Sequence, residues 1–285
     1  MDLADVLLRA ATVFVSVVAG LYAARYLLWR IEKLAAPLSK RTGIPASLIA
    51  LSTVDARTPH AVLAQLLREG AVEFRHVLQF TFATWPIRVV LMHLRIGVIP
   101  VALGALGLLG AVYLLIVYLS SLLGFFIAVR VKAAWPDVAA SARRIASVNV
   151  WRQAASITLK YLAVEAVLLA LEAAGLRMRL DWLPLPPEAV AVASVAAVRP
   201  TYGIMAAAPL YHTGRVGAVD ILIALLAGRV AYMTVYEFPR SAVQFYASIY
   251  PPGVAGRITA YTAAVMYATA LPALAVLSLV KFFVH

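Results

Sequence analysis

Ile44-Pro-Ala-Ser-Leu-Ile-Ala-Leu-Ser-Thr-Val-Asp55-Ala-Arg57-Thr-Pro-His60-Ala-Val-Leu-Ala-Gln65-Leu-Leu-Arg68-Glu-Gly70 holds two apolar runs, and neither is long enough to cross a bilayer. A helix needs about 20 apolar residues to span roughly 30 Å of hydrocarbon. Here Arg57, beside Thr58 and Pro59, stops the first run, and Gly70 punctuates the second before a longer apolar segment begins. About 142–146 residues later the pattern returns. Pro187-Glu-Ala-Val-Ala-Val-Ala-Ser-Val is stopped by Arg199-Pro200-Thr201, and His212-Thr213-Gly214 precedes another long apolar segment. The stretches 44–77 and 188–221 therefore read as distant copies of one membrane element. Pairs of interrupted hydrophobic segments in matching halves of a chain are the sequence pointer to a transporter's binding site.

Composition agrees with a membrane setting. The 285 residues are 64% hydrophobic with a mean hydropathy of +0.90, where soluble domains carry about 45–50% apolar residues. Neither 98–129 nor 258–280 contains a charged residue. The net charge of +12 comes mostly from Lys and Arg flanking apolar segments, where they follow the positive-inside bias and meet anionic lipid. That placement disfavours nucleic acid as the partner. The absence of cysteine excludes disulfides, thiolate catalysis and Cys-ligated metal. One asparagine and four glutamines accompany it, a composition common in thermophile proteins. Asp2 and Asp5 before Arg9 are not the basic start of a secretory signal, so the first apolar segment is expected to stay as a helix.

Six crossings can be drawn, at about 6–28, 72–91, 98–129, 156–175, 216–236 and 258–280. The third is long enough to require tilt or a bend. Basic clusters at 25–41 and 130–152 should both be cytoplasmic. They share a side only if the interrupted stretch between them dips in and returns. The same reading of 188–211 leaves both termini outside. Each half then has three crossings, an odd number, and the halves enter the membrane with opposite orientation. Eight crossings with parallel halves is the alternative, and charge placement favours the inverted plan. The expected architecture is an all-α integral membrane protein: about six transmembrane helices, two re-entrant helix pairs and two inverted-topology repeats, 1–152 and 153–285. Residues 130–152 and 237–250 read as surface helices.

Several residues are placed to meet a solute. Arg57 and Arg199 stand at the two expected tips, beside Thr58 and Thr201, where helix N-termini offer free N–H groups and partial positive charge. A guanidinium there suits an anionic group or a polar carbonyl. His60 and Tyr202 follow each tip. Asp55 beside His60 has the makings of a proton relay, and Glu165 in the fourth crossing is deep enough for proton coupling. The bland alternatives are a helix cap for Asp55 and a packed, hydrogen-bonded His60. Asp220 and Arg229 in the fifth crossing lie nine residues apart on opposite helix faces and cannot pair with each other; Arg229 shares its face with Tyr232 and Tyr236. No phosphate loop, His-Glu-x-x-His, Gly-x-Ser-x-Gly or aspartate-rich box is present, so neither catalysis nor a cofactor or metal is expected.

Leu185-Pro-Pro-Glu-Ala-Val190, Arg199-Pro-Thr-Tyr-Gly203, Leu210-Tyr-His-Thr-Gly-Arg-Val216, Asp220-Ile-Leu-Ile-Ala-Leu-Leu-Ala-Gly-Arg229 and Phe238-Pro-Arg-Ser-Ala-Val243 resemble the gate domain of the nucleoside-recognition membrane proteins, most closely their archaeal members. Pro59-His-Ala-Val-Leu-Ala-Gln-Leu-Leu-Arg-Glu-Gly70 and Trp85-Pro86 resemble the same element in the first half. Related gates occur in ferrous iron transporter B, the spore maturation proteins A and B, and concentrative nucleoside transporters. Members often show Ser-Pro-x-Ala-Gly at the tip. Here the second tip has Arg199 in place of Ser and keeps Pro200 and Gly203, while the first lacks both Ser and Gly. The resemblance implies a permease or channel subunit in the cell membrane, moving a small polar or anionic solute, nucleoside-like among others, with a homodimer or membrane complex as the assembly. The rival reading is a pore or scaffold subunit of a DNA- or polymer-translocation machine that works with a separate ATPase.

Overall fold

The computed structural model describes residues 35–131, 133–135 and 185–284, with isolated residues at 7, 11, 14–15, 18, 151–152, 154–159 and 162. Most of the expected first and fourth crossings, residues 136–150 of the basic linker, and Glu165 lie outside the described residues. The regular structure among those described is helical, with no strand among them. The helices are α1 (Ala46–Val54), α2 (Arg57–Arg68), α3 (Phe74–Ala83), α4 (Trp85–Arg95), α5 (Val98–Leu106) and α6 (Leu108–Arg130) in the first half. In the second half they are α7 (Pro187–Val198), α8 (Pro200–His212), α9 (Ala218–Tyr232), a π-helical segment Met233–Val243, α10 (Gln244–Ile249) and α11 (Pro252–Val284).

Among the described residues, three helices are long and apolar enough to cross a membrane: Leu108–Arg130, Ala218–Ile249 and Pro252–Phe283. The pair Phe74–Ala83 and Trp85–Leu94, bent by 44° at Thr84, makes a fourth if it counts as one span. Leu115, Leu119, Leu122 and Phe126 on α6, and Leu271, Val276 and Leu279 on α11, are exposed. In a membrane-embedded protein these are the side chains that lipid covers.

Two stretches differ from the crossings drawn on the sequence. The apolar run 98–129 is not one helix: Gly107, at φ 56° and ψ −125°, ends α5 and starts α6 afresh. A side chain is poorly tolerated there, and Gly110 just beyond lies so close to the Ala102 carbonyl that a Cβ would collide with it. Residues 237–250 do not form a separate surface helix either; 237–249 continue the helix that begins at Ala218, and Tyr250 ends it in extended backbone. Pro239 has no N–H and its ring crowds the carbonyl four residues back. The chain answers with the wider i→i+5 turn over Met233–Val243.

The chain divides into two compact units, each drawing on both of its halves. Unit 1 comprises Met1–Arg88, Gly124–Ala173 and Arg240–Ala260; unit 2 comprises Val89–Leu123, Ala174–Pro239 and Tyr261–His285. In unit 1, α1 is buried on nearly every side, from Ser47 to Ser52. Helix α10 packs on α2. Gln79 on α3 donates to the carbonyls of Thr42 (2.8 Å) and Ala128 (3.2 Å) and accepts from Trp135 Nε1 (2.8 Å). One amide thereby ties three segments together. In unit 2, α7 packs on α8 and α9, and α5 packs on α8. The core there is rich in alanine, including Ala189, Ala193, Ala196, Ala207 and Ala224. Gly203 and Gly228 both face Ala196 too closely to carry a side chain, the small-residue contact that lets membrane helices approach.

Candidate functional site

The two interrupted elements have the same local geometry, 144 positions apart. Helix α1 ends at Asp55 in extended backbone (φ −149°, ψ 134°), and α7 ends at Arg199 in the same region (φ −153°, ψ 109°). Gly70 and Gly214 both take φ 69°. The turn around each closes with matching bonds: the N–H of Ala71 to Leu66 O and that of Arg215 to Leu210 O, at 2.9 and 3.0 Å.

This register pairs Arg199 with Asp55 and Arg57 with Thr201, a shift of two residues from the matched arginines that the sequence invites. The cause is local. Pro200 at the start of α8 forces the residue before it into extended backbone, so Arg199 becomes the hinge. In the first element the hinge falls on Asp55, whose Oδ2 accepts from the N–H groups of Arg57 (3.1 Å) and Thr58 (2.9 Å) and from Thr58 Oγ1 (3.0 Å). Asp55 thus caps α2, and Thr58 is fully buried beneath it.

Behind this hinge lies a buried cluster of polar and aromatic side chains in unit 1. His60 is 0% exposed. Its Nδ1 lies 2.9 Å from the hydroxyl of Tyr250, and its Nε2 lies 3.4 Å from Arg88 Nη1. The rings of Phe80, Phe245, Tyr246 and Tyr250 meet the imidazole edge-on, with centroids at 5.3–5.8 Å. Arg88 Nη2 donates to Thr81 O at 3.0 Å. The Arg57 guanidinium stands 5.9 Å from the Phe245 ring on the same aromatic group. The bend at Thr84 helps bring Arg88 back towards His60. Among the predicted residues, then, unit 1 gathers Asp55, Arg57, Thr58 and His60.

Unit 2 is built differently. Arg199 is exposed and donates to Tyr202 Oη (3.1 Å) while stacking on its ring at 4.9 Å. Thr201 is half-buried in the first turn of α8. Arg229 is buried and pairs with Glu237 at 3.3 Å across the junction of α9 with the π segment. With Ser120, Thr269 and Met266 it lines a recess of about 20 Å³, room for roughly one water. Asp220 pairs with Lys281 at 2.7 Å, so Asp220 and Arg229 each find a partner other than the other. His212 meets the carbonyl of Ala105 at 2.8 Å, tying α8 to α5.

Arg88, Tyr250 and Glu237 are not among the residues that the sequence singles out for a solute. Tyr250 is 190 residues from His60, and no local pattern signals the pairing. The Trp85-Pro86 break was the available clue to Arg88. Among the described residues no group of three or more His, Asp or Glu is placed to hold a metal ion. Comparison with protein-family models, curated proteins and solved structures finds no match.

Proposed function

We propose that the protein is a polytopic permease or channel subunit that moves a small polar or anionic solute through paired gate elements, 44–77 and 188–221. The observation that carries this reading is the recurrence of one hinge-and-turn geometry 144 positions apart, in two elements too short to span. Broken helices of this kind are tolerated at membrane depth where they are buried in protein or line a water-filled path. The resemblance of both stretches to nucleoside-recognition gates supports the same reading. In it the halves are inverted repeats with six crossings, the basic segments 25–41 and 130–152 face the cytoplasm, and both termini lie outside.

Uptake into proteoliposomes tests the proposal, with nucleosides, inorganic phosphate and divalent metals as solutes. Uptake above that of empty vesicles, lowered by Arg57→Ala or Arg199→Ala, is the expected result. Wild-type uptake equal to that of empty vesicles for all three classes removes it. A stoichiometric ATPase recovered from native membranes would point to a polymer-translocation machine instead.

A further inference from the structure

The hydrogen bonds around His60 have a fixed direction. Arginine carries donors only, so Arg88 Nη1–H donates to His60 Nε2. That leaves the imidazole proton on Nδ1, where it donates to Tyr250 Oη. Tyr250's own O–H hydrogen then has no acceptor among the described residues, and at the other end Arg88 Nε is buried without a partner among them. Every protein group that Arg88 meets there is neutral: an imidazole and the Thr81 carbonyl. No carboxylate among the described residues pairs with it. Arg88 is half-buried with its Nε shut off from solvent, and such a guanidinium is costly without a counter-charge. The group that would complete this cluster brings acceptors and negative charge.

The equivalent place in unit 2 is filled otherwise. At the 144-residue spacing His60, Phe80, Tyr246 and Tyr250 correspond to Ile204, Ala224, Ala102 and Leu106, all within one buried apolar cluster. Arg88 corresponds to Tyr232. Among these corresponding positions the polar cluster stands in unit 1 only.

From this we propose that each chain binds one small oxyanion, a carboxylate or phosphate group, on Arg88, with His60 and Tyr250 positioning the guanidinium. The identification of that anion as the cargo rests on the permease reading; the site itself does not. Two sources share this chemistry, a free solute and a lipid headgroup.

The test is titration of the full chain in neutral detergent with inorganic phosphate and with acetate, followed by calorimetry. A parallel measurement counts anionic lipid retained by the protein in nanodiscs of phosphatidylcholine with one-quarter phosphatidylglycerol. The expected result is one equivalent of oxyanion per chain from one of these sources, weakened at least about tenfold in Arg88→Gln, since charge-assisted bonds are lost. Tyr250→Phe, which removes a donor and keeps the ring, should weaken it severalfold and remain monodisperse if Arg88→Gln fails to fold. Loss of phosphate or acetate binding identifies a free solute; loss of retained lipid identifies a headgroup. Unchanged binding of both in Arg88→Gln, or unchanged binding in Tyr250→Phe where Arg88→Gln does not fold, overturns the site. Oxyanion binding without uptake removes the permease reading and leaves the site, whereas uptake undiminished in Arg88→Gln keeps the permease reading and removes the anion as its cargo.

Discussion

At the scale of single residues, several buried polar side chains of unit 1 tie distant segments of the chain together. Gln79 is the clearest case, because its amide satisfies two carbonyls and an indole at once. Gln79→Leu strands all three and should cost about 2–4 kcal/mol. Trp135→Phe strands only the Gln79 oxygen and should cost about 1 kcal/mol. Thermal unfolding of the purified variants checks the order; equal midpoints, or the reverse order, would contradict this account. His76 is similarly fixed. Its Nδ1 accepts the Glu73 N–H at 3.0 Å, so its Nε2–H donates to Ala134 O at 2.9 Å. The sequence showed which residues were polar and placed Asp55 among candidate caps. It did not show long-range pairing, because a hydrogen bond such as His60–Tyr250 leaves no trace in periodicity.

At the scale of elements, glycine and proline decide where helices stop. Gly107 and Gly104 make a matched comparison within one apolar run. A Cβ at Gly104 meets nothing within 4 Å, while Gly107 sits at φ 56°. Gly104→Ala should leave stability unchanged or raise it by up to about 1 kcal/mol. Gly107→Ala should lower it by about 1–3 kcal/mol through backbone strain. Denaturation in a single detergent reads both, and a harmless Gly107→Ala would argue for an unbroken helix over 98–130. Hydropathy could not reveal this break, since the residues on both sides are equally apolar. The interrupted pairs were legible for the opposite reason: Asp55, Arg57 and Arg199 stand out against their surroundings. Register was not legible, because matching Arg-Thr-Pro with Arg-Pro-Thr by composition overlooks the extended backbone that Pro200 imposes on Arg199.

For the whole molecule, helix content and membrane character follow from composition, and three long apolar helices accord with both. The orientation of the halves is a matter of charge placement, and labelling can decide it. The chain has no cysteine, so a single introduced thiol reports alone. Glu69→Cys and Thr213→Cys place one at each exposed turn. If the repeats are inverted, an impermeant maleimide reaches the thiol of Glu69→Cys from the cytoplasmic side and that of Thr213→Cys from outside. Labelling of both from one side would establish parallel halves.

The pairing of His60 with Tyr250 also bears on biogenesis. At ~5–20 residues per second, the ribosome makes the tyrosine roughly 10–40 s after the histidine it serves. For most of that interval the nascent chain carries both His60 and Arg88 without the ring that completes their environment. Synthesis therefore leaves the polar cluster of unit 1 unfinished until late in translation, and a nascent chain arrested before Arg240 would be expected to engage membrane chaperones.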